Sequence, residues 1–297
     1  MVRGLKRVLS LRLSLFIAAG AVTAISAVDA ALAASRTFIG TSSHDWTSDS
    51  NWSPAGVPVA TDDVAINAGK TADLSNADAA INNLTLAGGT LTGTGTLTVN
   101  GTLTWSGGTM GGAGKTVAGG GLALSGSGTK TLNRTLSNTG AATWTDTGNI
   151  TIGTGGVLSN EHGASFTVQN DQTISSGGTS PRFDNAGTFT KAIGALTTIN
   201  AGVAFNNSGS VVVQSGTLKL AGGGIGSGAF DCTGATLQFS GGTYNLTAEA
   251  SISGTNLVFS GATMNHSGSY NVTGGTTVSG GTANLTGDAE RWHADCY

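Results

Sequence analysis

Residues 84–110 read LTLAGGTLTGTGTLTVNGTLTWSGGTM, and the fold class can be inferred from this segment. Leucine, valine and tryptophan alternate in it with threonine, asparagine or glycine, and Gly-Gly or Asn-Gly steps interrupt the alternation. Alternation with a period of two, broken by such steps, is typical of short β-strands joined by tight turns. The stretch therefore predicts an all-β protein built from short strands.

A block of the form apolar, small, Gly, Gly or Ala, Thr, apolar recurs along the chain. Its copies are LAGGTL from Leu86, WSGGTM from Trp105, FSGGTY from Phe239, FSGATM from Phe259 and VSGGTA from Val278. The start-to-start distances are 19, 134, 20 and 19, and 134 is close to seven periods of 19. A fixed period of this length indicates a stack of repeated units. One repeat length is therefore expected to run through the whole of this region.

A second pattern occupies the middle of the chain and consists of an apolar residue, a spacer, Asn, a short step and Gly. Its copies are LSNTG from Leu136, LSNEHG from Leu158, FDNAG from Phe183 and FNNSG from Phe205, at spacings of 22, 25 and 22. Asparagine tolerates left-handed corners, and its amides can stack in hydrogen-bonded ladders. The pattern predicts slightly longer units with loop insertions.

Together these repeats predict a right-handed parallel β-helix, or β-solenoid, over residues 61–287, with about twelve coils of roughly 20 residues. Stacked coils bury inward Leu, Val and Phe side chains in continuous ladders, and glycine supplies the corners. Two or three β-sandwiches are the main alternative. They would not require similar turn motifs at constant spacing.

The N-terminus carries the features of a secretory signal peptide, predicted over residues 1–33. A basic start is followed by an apolar run over residues 13–28 and by Ala31-Leu32-Ala33, a small-x-small cleavage pattern. The basic residues are Arg3, Lys6, Arg7 and Arg12. A membrane anchor is the alternative, but it needs about 20 strongly apolar residues. We expect an exported mature chain without a transmembrane segment.

The two ends of the predicted solenoid differ from its middle. Residues 34–60 are predicted to form an N-terminal cap in which Trp46 and Trp52 cover the first coil, because an open end invites aggregation. Stacking of these tryptophans on a sugar is the alternative hypothesis. Residues 288–297 do not continue the repeat and are interpreted as a non-repeat tail that resembles a truncated end.

Charge and cysteine content exclude one class of function. Removing the leader leaves 13 − 4 = 9 basic and 16 − 1 = 15 acidic residues, a net charge near −6, and the nine are scattered singly. Nucleic-acid binding needs basic residues clustered on one face, so no nucleic acid is expected as a partner. Cys232 and Cys296 permit a disulfide, but a buried thiol at Cys232 is the favoured interpretation.

Catalytic motifs are weak throughout. GGAGKT at residues 111–116 ends like a phosphate-binding loop, yet Thr109 stands where the full pattern needs glycine, so a turn with a solvated lysine is predicted. Unlike charges gather only in one loop region. They are Glu161, His162, Asp171, Arg182 and Asp184. This set is the candidate binding site, and a polysaccharide lyase or hydrolase with its site in the loops of residues 158–184 is the alternative function.

No metal site or cofactor is predicted. His44, His162, His266 and His293 stand alone, without ligand-like spacing. Thr-x-Thr steps, as at Thr96 and Thr98, raise an ice-binding alternative, which would need such pairs on one face in successive coils. Outward strand threonines explain these steps equally well.

Several of these segments resemble bacterial surface β-strand-repeat proteins. They are the N-terminal W-x4-N-W of residues 46–52 with the following V-P and D-D-V-A-I, and units such as SGTLKLAGGG (residues 215–224) and GATLQFSGGTY (residues 234–244). The family includes autotransporter passengers and filamentous-haemagglutinin-like adhesins. The resemblance implies a right-handed solenoid displayed at the bacterial outer surface or released, with a role in adhesion or biofilm contact. It also raises the expectation of a C-terminal translocator that this chain lacks.

The expected function is that of a non-enzymatic surface scaffold. A long face rich in Thr, Ser and Asn suits weak polar contacts with polysaccharide or with a surface protein of a host or neighbouring cell, summed by repetition.

Overall fold

The computed structural model describes residues 33–40 and 43–287. Most of the predicted signal peptide and the whole predicted tail, with Cys296 and His293, lie outside the described residues. The described chain is almost entirely β-structure, with one 3₁₀ helix at Asp49–Asn51.

The strands are short in the middle of the chain and long near its C-terminal part. The first fourteen are β1 (Ser35–Phe38), β2 (Trp52–Ser53), β3 (Asp63–Asn67), β4 (Thr71–Asp73), β5 (Ala79–Ile81), β6 (Leu84–Thr92), β7 (Leu97–Val99), β8 (Thr102–Met110), β9 (Lys115–Ala118), β10 (Gly121–Leu124), β11 (Lys130–Leu132), β12 (Thr135–Asn138), β13 (Ala141–Trp144) and β14 (Ile150–Gly153). The others are β15 (Val157–Asn160), β16 (Ser165–Val168), β17 (Thr173–Gly177), β18 (Arg182–Asn185), β19 (Thr188–Lys191), β20 (Leu196–Ile199), β21 (Ala204–Asn207), β22 (Ser210–Val213), β23 (Thr217–Leu220), β24 (Gly224–Gly226), β25 (Ala229–Phe239), β26 (Thr243–Leu246), β27 (Ser251–His266) and β28 (Ser269–Leu285).

Each strand from β3 to β27 pairs in parallel with its equivalent one coil further on, which confirms the parallel β-solenoid. Three strand segments make one coil, so the solenoid has three faces. In the first coil, β3 lies on face A, β4 on face B and β5 on face C. In the second coil, the first part of β6 lies on face A, its second part on face B, and β7 on face C. Eleven complete coils follow from residue 63 to residue 286, close to the twelve predicted. In the long strands β27 and β28, one strand runs round all three faces.

The predicted lengthening in the middle is also present. On face A, Ala142 pairs with Phe166, and Phe166 with Phe189, so these coils span 24 and 23 residues. By contrast, Leu84 pairs with Leu103, a span of 19. The extra residues of the long coils lie in corners.

The core is one column of inward side chains that runs the length of the described coils. The alternation puts Leu84, Leu103, Phe166 and Phe189 inside, each essentially without exposed surface. Burial of one such side chain contributes about 1.5–3 kcal/mol. Phenylalanines of neighbouring coils also contact one another, as between Phe166 and Phe189, whose parallel rings lie 5.7 Å apart.

The N-terminal residues add a partial coil before the first complete one. β1 pairs in parallel with β3 and antiparallel with β2, so solenoid pairing begins at Ser35, ahead of the predicted boundary at residue 61. The N–H of Trp46 donates to the carbonyl of Asp73 at 2.9 Å. Residues 43–53 thus bond to and lie against the first coil, as an end cap requires.

The recurring Gly-Gly-Thr block lies at two different corners, which corrects one expectation. LAGGTL and WSGGTM form the A–B corner of coils 2 and 3, within β6 and β8. FSGGTY, FSGATM and VSGGTA form the B–C corner of coils 9 to 11. The distance of 134 is therefore not a whole number of coils. Both corners require the same residues, because an apolar side chain must point inward on either side of a small bend.

Candidate functional site

Trp46 and Trp52 belong to the core, so the sugar-stacking hypothesis is wrong for this structure. Each is only 1% exposed, and their rings meet edge to face with centroids 4.8 Å apart. Phe38 packs against Trp52 at 5.0 Å, and the indole N–H of Trp52 donates to the carbonyl of Trp46. Neither ring has a free face for a ligand. Their burial fits the predicted role in covering the first coil.

The structure separates the five charged residues predicted as a site. Glu161 and His162 lie at the C–A corner of coil 5, and Asp171 lies at the A–B corner of coil 6. Arg182 and Asp184 are both in β18 on face C. Only Arg182 and Asp184 contact each other directly, through an ion pair of 2.7 Å between Nε and Oδ2.

Asp171 has a structural partner inside the solenoid. Its carboxylate forms an ion pair of 3.1 Å with Nζ of Lys191, a residue with no exposed surface, and accepts the N–H of Leu196 at 2.9 Å. Donation from the N–H of Ala195, together with Lys191 and Leu196, holds the pKa of Asp171 below its usual value, although desolvation opposes this. Asp171 therefore holds a corner together and neutralises a buried lysine.

Glu161 contacts one row of outward side chains on face C, and Asp184 belongs to that row. Ser137, Ser159 and Asp184 occupy equivalent outward positions in coils 4 to 6. The Glu161 carboxylate accepts hydrogen bonds from the hydroxyls of Ser137 and Ser159, the latter at 3.0 Å. Asp184 accepts one from the amide of Asn206, in coil 7, at 2.7 Å.

Beyond Asp184 this row leads into a groove between face C and the C–A corner. The groove contains two adjoining cavities of about 630 and 270 Å³ that share Asn245 and Thr247. Its lining comes from coils 6 to 11. The outward side chains on the face C side are Asp184, Asn206, Ile225, Asn245, Asn265 and Asn284, and the corner side is formed by Ala186, Ser208, Ser227, Thr247, Ser267 and Thr286.

Four asparagines of this groove, Asn206, Asn245, Asn265 and Asn284, form what we call the amide row. The amide of Asn265 donates to the carbonyl oxygen of Asn245 at 2.8 Å, and the amide of Asn284 donates to Asn265 at 2.8 Å. The carbonyl oxygen of Asn206 accepts the N–H of Ile225 at 3.1 Å. These bonds fix the amides in one orientation, and Asn245 and Asn284 are exposed.

A second, buried set of asparagines, the inner ladder, runs through coils 4 to 7 on the same side of the solenoid, and its last two members, Asn185 and Asn207, line the larger cavity. It consists of Asn138, Asn160, Asn185 and Asn207, which are the asparagines of the four copies of the second sequence pattern. Each amide donates to the carbonyl oxygen of the next at 2.8–2.9 Å, as the sequence predicted. The same amides donate to carbonyls after the corner, for example Asn160 to Thr188 at 3.2 Å. The inner ladder thereby fixes the C–A corner of coils 4 to 7, which includes the corner at the coil 6 end of the groove.

The other sequence motifs have structural roles. GGAGKT forms the B–C corner of coil 3, and Lys115 at its end is exposed, as predicted. Cys232 is a buried free thiol, and burial raises its pKa. Within residues 33–40 and 43–287, no cluster of three or more His, Cys, Asp or Glu side chains is placed to hold a metal ion.

Threonines do stack in successive coils on face B, but they form a single row there. Face B carries them at the same outward position in coils 1 to 5. They are Thr71, Thr90, Thr109, Thr131 and Thr151. The positions two residues further on are Asp73, Thr92, Gly111, Asn133 and Gly153, so no second threonine row accompanies the first on that side.

Comparison of the chain with protein-family models, with curated proteins and with solved structures finds no match in any of the three. Among the described residues, no helix is long and apolar enough to cross a membrane. The groove is therefore the feature of the described chain that bears on function.

Sequence reasoning missed the amide row, although a signal was present. Asparagine stands between two inward residues in YNL at 244–246, MNH at 264–266 and ANL at 283–285, at spacings of 20 and 19. This is the coil period with a polar residue at an outward position. Asp184 is the one predicted site residue that lines the groove.

Proposed function

We propose that the mature chain is an exported, non-enzymatic scaffold at the bacterial outer surface that binds polysaccharide or protein by repeated polar contacts. The observation that supports this most is the groove, in which the solenoid presents a polar side chain from nearly every coil between coil 6 and coil 11. Contacts of this kind are weak singly, and their free energies add when one ligand engages several of them.

The resemblance to autotransporter passengers and filamentous-haemagglutinin-like adhesins supports the same proposal. A role in attachment or biofilm contact suits a chain with a predicted signal peptide and few charges, 10% of all residues. A low number of charges also reduces the electrostatic repulsion when this polar surface approaches another cell.

The proposal is tested by deleting the gene in the source bacterium and measuring attachment to surfaces and aggregation of cells. We expect both to fall, and to recover when the full-length gene is restored. Recovery should be much weaker with a gene that carries Asn245→Ala, Asn265→Ala and Asn284→Ala together. A deletion strain that attaches and aggregates as the parent does would overturn the proposal.

A further inference from the structure

We infer that the groove takes a straight, neutral, β-1,4-linked polysaccharide lying along the stacking axis, with one sugar to each coil. This inference rests on the proposed function and names the ligand class of the same groove. The charge of the lining, its spacing along the axis and its free hydrogen-bonding groups all favour such a ligand.

The groove lining is almost without charge. Asp184 is its one acidic residue, at the end nearest coil 6, and it is paired with Arg182. No lysine or arginine lines either cavity, and His266 is buried. A polyanion would find no cation to pair with, whereas hydroxyl groups match the amides and hydroxyls of the wall.

The spacing of the lining favours a glycan over a peptide. Equivalent residues of neighbouring coils are about 4.8 Å apart, the distance between hydrogen-bonded strands. An extended peptide advances about 3.3 Å per residue and points alternate side chains to opposite sides, so it falls out of step with the coils. A sugar of a β-1,4-linked chain is close in length to one coil. Each sugar can therefore meet one coil, and every second sugar presents the same edge to the wall because neighbouring sugars are turned over.

The amide row keeps bonding capacity for a ligand. Asn265 uses one N–H to reach Asn245 and accepts one bond from Asn284. A carboxamide has two N–H groups and two lone pairs on its oxygen, so one of each remains. Because the hydrogen bonds within the amide row already fix these side chains, less side-chain entropy is lost when a hydroxyl group of the ligand binds.

Ile225 interrupts the amide row and supplies an apolar contact. It lies in the lining of the larger cavity, in coil 8 between Asn206 and Asn245, and is 62% exposed. The C–H face of a sugar ring can cover it, and removal of that apolar surface from water favours binding. Amides on both sides of an apolar residue suit a ring with hydroxyls at its edge and carbon on its face.

The test is titration calorimetry of the purified mature protein with neutral β-1,4-linked glucose, mannose and xylose oligomers of two to eight units. Affinity for at least one series should rise with each added sugar and level off near six, the number of coils that line the groove. Asn265→Ala should weaken hexamer binding about fivefold, the loss expected for one hydrogen bond. Ile225→Ala should also weaken it.

Asn271→Ala is the matched control. Asn271 is an exposed asparagine at the outward position of face A in coil 11, away from the groove. Its replacement should leave hexamer affinity unchanged, and circular dichroism should show that all variants keep their β-structure. An equal loss in Asn265→Ala and Asn271→Ala would overturn the inference.

Two further ligands separate this inference from the proposed function. A β-1,4-linked mannuronate hexamer and a twelve-residue Ser-Thr peptide should bind more weakly than the neutral hexamer. Stronger binding of either, or no binding of any neutral oligomer, would overturn the glycan inference. If deletion of the gene still abolished attachment in that case, the scaffold function would stand with a different ligand.

Discussion

Asn160 shows how one residue type serves two purposes in this chain. Its side chain is buried, accepts a bond from Asn138, and donates to Asn185 and to the carbonyl of Thr188. Asn206, two coils further on, is half-buried and faces the groove. A buried amide holds the corner, whereas an outward one is available to a ligand.

Replacement of Asn160 by alanine should lower the free energy of unfolding by about 2–3 kcal/mol, because the Asn138 amide and the Thr188 carbonyl lose a buried partner. Asn206→Ala should cost less than about 1 kcal/mol, since solvent can replace its bonds. Urea unfolding followed by circular dichroism measures both values. Equal losses would contradict the assignment of a structural role to the inner ladder.

His266 makes stability depend on pH. It is 1% exposed, its Nε2 lies 3.0 Å from the Ser269 carbonyl, and its coil neighbours are Leu246 and Leu285. Burial disfavours the imidazolium and lowers the pKa below 6.5, although the bond to Ser269 opposes this. The unfolded chain therefore binds the proton more readily. Folded stability falls as the pH drops below about 6.5.

His266→Leu should remove that part of the pH dependence, because leucine matches the inward Leu246 and Leu285 of the neighbouring coils and has no titrating group. Thermal melts of the wild type and the variant between pH 5 and pH 8 measure the effect. The wild type should lose stability on the acid side relative to the variant. Parallel curves over the whole range would show that His266 is not the titrating group.

At the scale of the elements, the corners are formed by a few small-residue motifs used more than once. Gly108, Gly242 and Gly281 occupy the same place in the Gly-Gly-Thr block and have φ angles of +91°, +71° and +85°. Residues with a side chain rarely adopt such φ angles, so glycine is required at these three positions. The strand on either side continues with its apolar residues pointing inward.

A substitution at Gly114 would test how closely neighbouring coils approach each other at a corner. A Cβ added at Gly114 would lie 2.2 Å from the Gly95 carbonyl oxygen and 2.4 Å from Nη2 of the buried Arg134. Gly114→Ala should therefore cost about 2 kcal/mol through overpacking. Gly275→Ala is the control, because a Cβ there meets nothing within 4 Å. Thermal melting compares the two, and similar melting temperatures would contradict the packing described.

The strands and the corner motifs were predictable, but their assignment to faces was not. Period-two alternation located strands such as those around Leu84 and Leu218, and the repeated asparagines predicted the inner ladder. The block from Trp105 and the block from Phe239 look equivalent in sequence yet lie at different corners. Sequence spacing cannot tell the corners apart, since each imposes the same chemistry.

At the scale of the whole solenoid, the groove arises only from stacking. The amide row takes one asparagine each from coils 7, 9, 10 and 11, with Ile225 at the equivalent position of coil 8, and no short stretch of sequence holds more than one of these asparagines. From the sequence, the charged residues of the long coils were predicted to form one site, because loops commonly carry function. Three faces instead distribute those charges, and uncharged outward residues form the continuous surface.

The most direct test of the account is disulfide formation between pairs of cysteines introduced in the groove. Asn245 and Asn265 are register partners in adjacent coils, as are Asn265 and Asn284, at a distance of about 4.8 Å that a disulfide can bridge. Asn245 and Asn284 are two coils apart, about 9.6 Å, which is beyond that reach.

After mild oxidation, mass spectrometry of the digested protein should find the 245–265 and 265–284 disulfides at high yield and the 245–284 disulfide at none. That result would establish both the register of the coils and the row of residues on which the binding proposal depends. A 245–284 disulfide at a yield equal to the other two, or no disulfide in any pair, would contradict the account.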